Sequence, residues 1–274
     1  MAKKAPQLDA KGNRKFGMLD KVAYAAGDAG CNLSFGLKGT VQTFWLVYMM
    51  METGIFSILL VIVQAWDAIN DPIFGFIFDK VKFKRNQKCL PWLRIAVTLI
   101  PAVTIVLFSI PVGMGETGKL IWFGVAYVLW DTVCTLTDVP AYAMLNTMTD
   151  NTQERNLLLS MNRVFSGAGY LLCSVVLPLL IGETFGMSFT LAVAILSIFA
   201  AVTMVPLCIF CKERNYNPQE DTGDFSFRQM FTYLGKNKYL LTYYAGYMAT
   251  DALKTSAAVT LFVSFYLFGN STFS

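Results

Sequence analysis

The chain has 274 residues, 55 % of them hydrophobic and 15 % charged, with a mean hydropathy of +0.50 and a formal charge of +4. A soluble domain carries about 25 % charged residues, so this composition excludes an ordinary soluble enzyme. It points to an all-α protein that crosses a membrane several times.

Residues 1–21 are polar, contain six of the 22 Lys and Arg residues and lack an apolar core. They read as a cytoplasmic N-terminal tail rather than a signal peptide. Apolar runs of about 20 residues or more, each able to cross a core about 30 Å thick, follow at 22–50, 55–79, 90–111, 119–147, 156–181 and 187–210. These six spans form one bundle over 22–210. Residues 211–238, with Asn-Pro-Gln-Glu-Asp and scattered charges, read as a cytoplasmic inter-bundle linker. A seventh span at 239–268 opens a final segment, 239–274, which reads as the first helix of a second, truncated bundle.

Charge sets the orientation. Six Lys and Arg residues fall between Lys80 and Arg94, Arg155 lies in the 4–5 connection, and five lie between Lys212 and Lys238. The opposite connections, around Glu52, Gly113–Lys119 and Glu183, hold only Lys119. This positive-inside pattern places the N-terminus in the cytoplasm and explains the basic loops without a nucleic-acid partner. The six cysteines, mostly inside the spans, form no disulfide framework, and the Cys208-x-x-Cys211 pair is read as small helix-packing residues rather than a redox or metal motif. Cys31 stands in span 1 beside Asn32. No His occurs, which removes the usual general base and metal ligand.

Nine ionisable residues fall inside the spans: Asp28, Lys38, Asp67, Asp71, Asp131, Asp138, Arg163, Asp251 and Lys254. Such groups cost about 3 kcal/mol each at the membrane centre by insertion scales, and they mark function by default. At 1.5 Å per residue, Asp71 lies about 12 Å from the cytoplasmic end, Asp67 about 18 Å, Asp138 about 15–18 Å, Asn32 about 15 Å and Arg163 about 10 Å. Spans 1, 2, 4 and 5 therefore present polar groups at similar depths, as one shared cavity requires. That level is also where secondary transporters hold substrate and coupling ion.

Span 2 contains Trp66-Asp67-Ala68-Ile69-Asn70-Asp71-Pro72. Asp67 and Asp71, four residues apart, share one helix face and need a cation that their own helix does not supply. With the Asn70 amide and a hydroxyl such as Thr135 they offer hard oxygen ligands for Na⁺ or Li⁺, and one shared proton serves equally. Pro72 removes a backbone donor and is expected to bend the helix, freeing the Ala68 carbonyl. On span 4, Asp138-Val-Pro-Ala-Tyr142 faces Arg163 of span 5. A carboxylate and a guanidinium bind vicinal hydroxyls while an aromatic ring covers the apolar face of a sugar; the same two charges also suit a structural ion pair. Lys38, too deep to snorkel inward, is placed to neutralise one acid, and Asp251 and Lys254 to neutralise each other.

Four stretches, Tyr24-Ala-Ala-Gly-Asp28, Trp66–Pro72, Asp138-Val-Pro140 and Asn162-Arg163, resemble the glycoside–pentoside–hexuronide:cation symporters, the melibiose permease group of the major facilitator superfamily. Gly75-Phe-Ile-Phe-Asp79-Lys80 with Lys84-Arg85 is similar to the superfamily's helix 2–3 loop motif, with Lys82 where a small residue is usual. The resemblance implies a monovalent cation site at Asp67, Asn70, Asp71 and Thr135. It further implies sugar contacts at Asp28, Asn32, Asp138, Arg163 and Tyr142, the last at the family's stacking-Trp position. Cys31-Asn32 departs from the group's adjacent Lys and Asp, and a neutral amide still bonds hydroxyls. The family has about twelve helices in two bundles, so the chain needs a second helical bundle.

The expected function is therefore cation-coupled (Na⁺, H⁺ or Li⁺) symport of a sugar or glycoside by alternating access, in the inner (plasma) membrane, with no enzyme activity and no cofactor beyond the coupling ion. The alternatives are a related transporter of a non-sugar solute and a membrane sensor or interaction protein that has lost transport.

Overall fold

The computed structural model describes residues 15–81, 83, 87–111, 113–182, 185–216, 232–233 and 235–250, and no strand occurs among them. Two compact units are present, Met1–Asp221 and Thr222–Ser274. Among its described residues the first holds six long helices: α1 (Met18–Lys38), α2 (Thr53–Lys80), α3 (Leu90–Leu107), α4 (Glu116–Met148), α5 (Thr152–Ile181) and α6 (Phe189–Phe210). In the second unit residues 238–250 are helical. Asp251, Lys254 and most of the expected seventh span lie outside the described residues, as do Lys82, Lys84 and Arg85.

Helices α2 to α6 are each long and apolar enough to cross a membrane. The outlier is α1, which carries Asp20, Lys21, Asp28 and Lys38 among its 21 residues. Span 1 was expected to run unbroken over 22–50. Instead α1 stops at Lys38, and the chain continues through Gly39, a short turn at Val41–Thr43 and a π-helical turn at Phe44–Tyr48. Helix starts have local causes. The Asp20 carboxylate accepts from the Gly17 N–H at 3.1 Å, Asn151 caps α5 by accepting from Gln153 at 2.9 Å, and Ser188 caps α6.

Packing follows an exchanged pattern. Helix α1 lies against α5 and α6, α4 lies against α2 and α3, and α3 meets α6. Along α1 and α4, Tyr24 bonds the Ala141 carbonyl, Cys31 meets Asp138 and Lys38 meets Asp131, so the two run antiparallel in one register. Helix α1 runs parallel to α5, and α2 parallel to α4. Each half of the bundle thus lends its first helix to the other half.

Small residues allow the close crossings. A Cβ on Gly30 would collide with Thr203 and the Ala200 carbonyl of α6, and one on Gly169 with the backbone of Ala29. In lipid, where helices gain little from excluding water, such backbone approach supplies the packing energy. Two apolar clusters fill the bundle. One, around Trp45, Phe108, Phe123 and Phe189, lies at the end where α1 finishes; the other, around Tyr24, Leu90, Met144 and Met204, lies where α1 starts. Polar groups on α1 between Asp28 and Lys38 fall at the junction of the two.

The end where α1 starts is fastened by residues just beyond α6. Glu213 accepts from the N–H groups of Lys88, Cys89 and Leu90 at 2.8, 3.0 and 2.8 Å, capping the N-terminus of α3. Arg214 pairs with Asp20 at 2.9 Å in a buried ion pair, and its N–H bonds the Thr147 carbonyl of α4. Residues 211–215, read from sequence as linker, fold back onto the bundle. All six cysteines are buried and free, consistent with packing roles for Cys208 and Cys211.

Candidate membrane-embedded ion and solute site

The acidic run on α2 resolves into two adjoining groups. In the first, the Asn70 amide donates to Thr135 Oγ1 of α4 at 2.9 Å, and Thr135 Oγ1 lies 3.0 Å from Asp71 Oδ1, to which it donates. Asn70 and Thr135 are buried, while Asp71 is exposed along the open side of α2. A carboxylate and a hydroxyl converge here, hard oxygens of the kind that small cations take, with the Asn70 NH2 group fixing the hydroxyl.

In the second group, Lys38 of α1 reaches between two carboxylates. Its ammonium lies 3.6 Å from Asp67 Oδ2 and 3.5 Å from Asp131 Oδ1, and 5.6 Å from the ring centroids of both Tyr127 and Trp130. The cation that Asp67 and Asp71 were expected to need is thus partly supplied by α1. Asp131 was not among the expected site residues. Its spacing was a usable signal, since positions 131, 135 and 138 share one face of α4.

Between α1 and α5, Ser166 hydrogen-bonds the Asp28 carboxylate, and the Asn32 amide donates to Ser166 Oγ at 3.1 Å and to the Asp28 carbonyl at 2.9 Å. Ser166 also went unnoticed in the sequence, where a lone Ser in an apolar helix carries no signal of its own. Asp138 is half-buried, 3.8 Å from the Cys31 thiol. The structural ion pair between Asp138 and Arg163 does not form. Arg163 is exposed and lies within electrostatic reach of Asp28 and Tyr142 instead. Tyr142 is 64 % exposed on the same open side. Helix α2 continues through Pro72, whose missing N–H leaves the Ala68 carbonyl without its i+4 donor. Prolines recur inside every one of α2 to α6, tolerated because neighbouring helices resatisfy the backbone.

The polar side chains of α1, α2, α4 and α5 thus line one stretch of the bundle interior, about 15 Å long from Asp28 to Lys38 of α1. Asp71, Tyr142 and Arg163 open outward from it, a half-enclosed arrangement suited to holding an ion and a polar solute. Among the described residues no three His, Cys, Asp or Glu side chains are arranged to hold a metal ion; the oxygen set at Thr135 uses one carboxylate.

A family model described as MFS/sugar transport protein matches residues 23–272. The chain belongs to that family. Among relatives of this sugar-transport family member, a putative glycoside/cation symporter of Escherichia coli is 27 % identical over 261 residues, covering 91 % of this chain and 55 % of its own. An isoprimeverose transporter of Lactiplantibacillus pentosus is 26 % identical, over 58 % of this chain and 33 % of its own. A sodium-dependent lysophosphatidylcholine symporter of Danio rerio is 31 % identical, over 49 % and 25 %. The chain spans about half the length of the first curated relatives it matches. Its relatives are transporters, not enzymes, and the chain itself is an all-α, multi-pass membrane protein.

Proposed function

We propose that this chain is the ion- and solute-binding half of a cation-coupled sugar or glycoside symporter. The observation that carries the reading is the α2–α4 bridge, Asn70 to Thr135 to Asp71. It sets a hydroxyl, held by the buried Asn70 amide, against a carboxylate inside a membrane span, where an ionisable group marks function by default. Asp67, Asp71, Asn70 and Thr135 hold a monovalent cation, Na⁺ or Li⁺, with H⁺ as the alternative passenger. Asp28, Asn32, Asp138, Tyr142 and Arg163 line the solute side, where the two acids and the guanidinium bond hydroxyls and the exposed ring stacks on the sugar. A second helical bundle closes the open side, and rocking of the two bodies provides alternating access. The protein sits in the inner membrane with the basic end, including Lys88, Arg155 and Lys212, in the cytoplasm.

A second solute class has one specific support. The Danio rerio relative is named for sodium and a lysophospholipid, and Tyr142 presents a broad exposed ring with Val164, also exposed, one residue beyond Arg163. Binding of radiolabelled glycosides and of a labelled lysophospholipid, each in NaCl and in choline chloride, separates the two. The sugar reading expects Na⁺-stimulated glycoside binding that Asp138→Asn and Arg163→Ala each reduce at least tenfold. Na⁺-stimulated binding of the lysolipid alone would replace the sugar by a lipid.

A further inference from the structure

We infer that Lys38 is a tethered cation that competes with the coupling ion for Asp67, with Asp131 as the carboxylate that receives the ammonium when the ion binds. The inference rests on the cation-site reading given above and adds what sets that site's affinity.

The ammonium stands at 3.5 and 3.6 Å from one oxygen each of Asp131 and Asp67, longer than a committed charge-assisted hydrogen bond of about 2.7–2.9 Å. It is held loosely by both acids, through a long hydrogen bond to Asp131 Oδ1 and an ion pair with Asp67. The acids differ. The Asp67 side chain is 42 % exposed, toward the open side of α2, whereas that of Asp131 is 3 % exposed. The second oxygen of Asp131, Oδ2, is buried and has no hydrogen-bond partner. An unpartnered buried carboxylate oxygen is costly, and the Lys38 ammonium already stands at the other oxygen of the same group. The rings of Tyr127 and Trp130, each 5.6 Å away, favour a cation at this position. Lys38 is also the last residue of α1, where helix carbonyls favour a cation and Gly39 follows.

The consequence is electrostatic. With Lys38 shared, Asp67 is half neutralised and a poor ligand for a second cation. An ion arriving between Asp67 and Asp71 repels the ammonium, which shifts wholly onto Asp131. Ion binding is thereby weakened, and the arriving charge is reported across to α1 and α4. Every proton stays where it was; the exchange is of one cation for another at Asp67.

The test is direct ²²Na⁺ binding to the chain purified in lipid nanodiscs, read as affinity and not as transport. Lys38→Met combined with Asp131→Asn removes the competitor without stranding a buried charge and is expected to tighten Na⁺ binding at least tenfold. Lys38→Gln, which keeps a donor for Asp131 and so guards against misfolding of the double variant, is expected to tighten it in the same direction. Lys38→Arg keeps the charge and is expected to stay within threefold of the unmodified chain. Asp71→Asn in the Lys38→Gln background reports on the cation site itself and is expected to abolish binding. Affinity unchanged within twofold in both neutral variants, with Asp71→Asn still abolishing binding, overturns the role of Lys38 and leaves the ion site standing. Undiminished binding in Asp71→Asn overturns the ion site and the competition with it.

Discussion

At the scale of single residues, Thr135 is the joint of the site. It accepts from the buried Asn70 amide and donates to Asp71, so replacing it by Val removes both partners and leaves a buried donor unsatisfied. The expected cost is about 1–3 kcal/mol of stability, seen as a lower melting temperature in detergent, together with a loss of Na⁺ affinity. Thr135→Ser keeps the hydroxyl and should preserve both. Residue identity carried much of this in advance. Asp67, Asn70, Asp71 and Thr135 were legible because membrane cost makes any polar group conspicuous, and the depths of Asn32 and Asp138 placed those two at similar levels. What sequence left open was partnership. Lys38 had no assigned partner because its two acids lie 29 and 93 positions away on other helices, and Asp138 and Arg163 were paired by proximity in depth although Asp138 meets Cys31 instead.

At the scale of elements, the site depends on how closely α1 approaches α5 and α6. Ser166 meets Asp28 and Asn32 only because Gly169, nearly one turn along α5, lets the backbones of the two helices touch at Ala29. Gly169→Val would push α5 away, with overpacking of roughly 1–3 kcal/mol, and is expected to lower solute affinity more than ion affinity, since α5 contributes nothing to the Asp71–Thr135 pair. Equal loss of both would show that the two sites share the α1–α5 contact. The helix boundaries were readable from hydropathy to within a few residues, because a membrane span is set by length and apolarity alone. The end of α1 at Lys38 was not readable, because Val41–Tyr48 is as apolar as the helix it interrupts. Glycine at 39 was the sole hint, and glycines are common inside membrane helices.

At the scale of the whole described bundle, the clasp beyond α6 ties together helix ends that are far apart in sequence, which is why 211–215 read as linker. The Arg214–Asp20 pair is buried, and removing one partner of such a pair costs about 3–5 kcal/mol. Arg214→Met should therefore lower thermal stability strongly, while Lys212→Met, on a partly exposed neighbour, should change it little. Cys89 reports on the same region. Burial, with the nearby Glu213 carboxylate, pushes its thiol well above the ordinary value, so it stays neutral where a free thiol, near about pH 8.5, is half ionised. Maleimide is expected to leave Cys89 unlabelled at that pH in the intact chain and to label it in Arg214→Met. Prompt labelling of the intact chain would mean that the clasp is open.

The central claim is that the α2–α4 bridge at Asp71 holds a monovalent cation. A ²²Na⁺ saturation experiment comparing the unmodified chain with Asp71→Asn tests it most directly. The account predicts saturable binding in the first and at least a tenfold loss of affinity in the second; equal binding by both would contradict it.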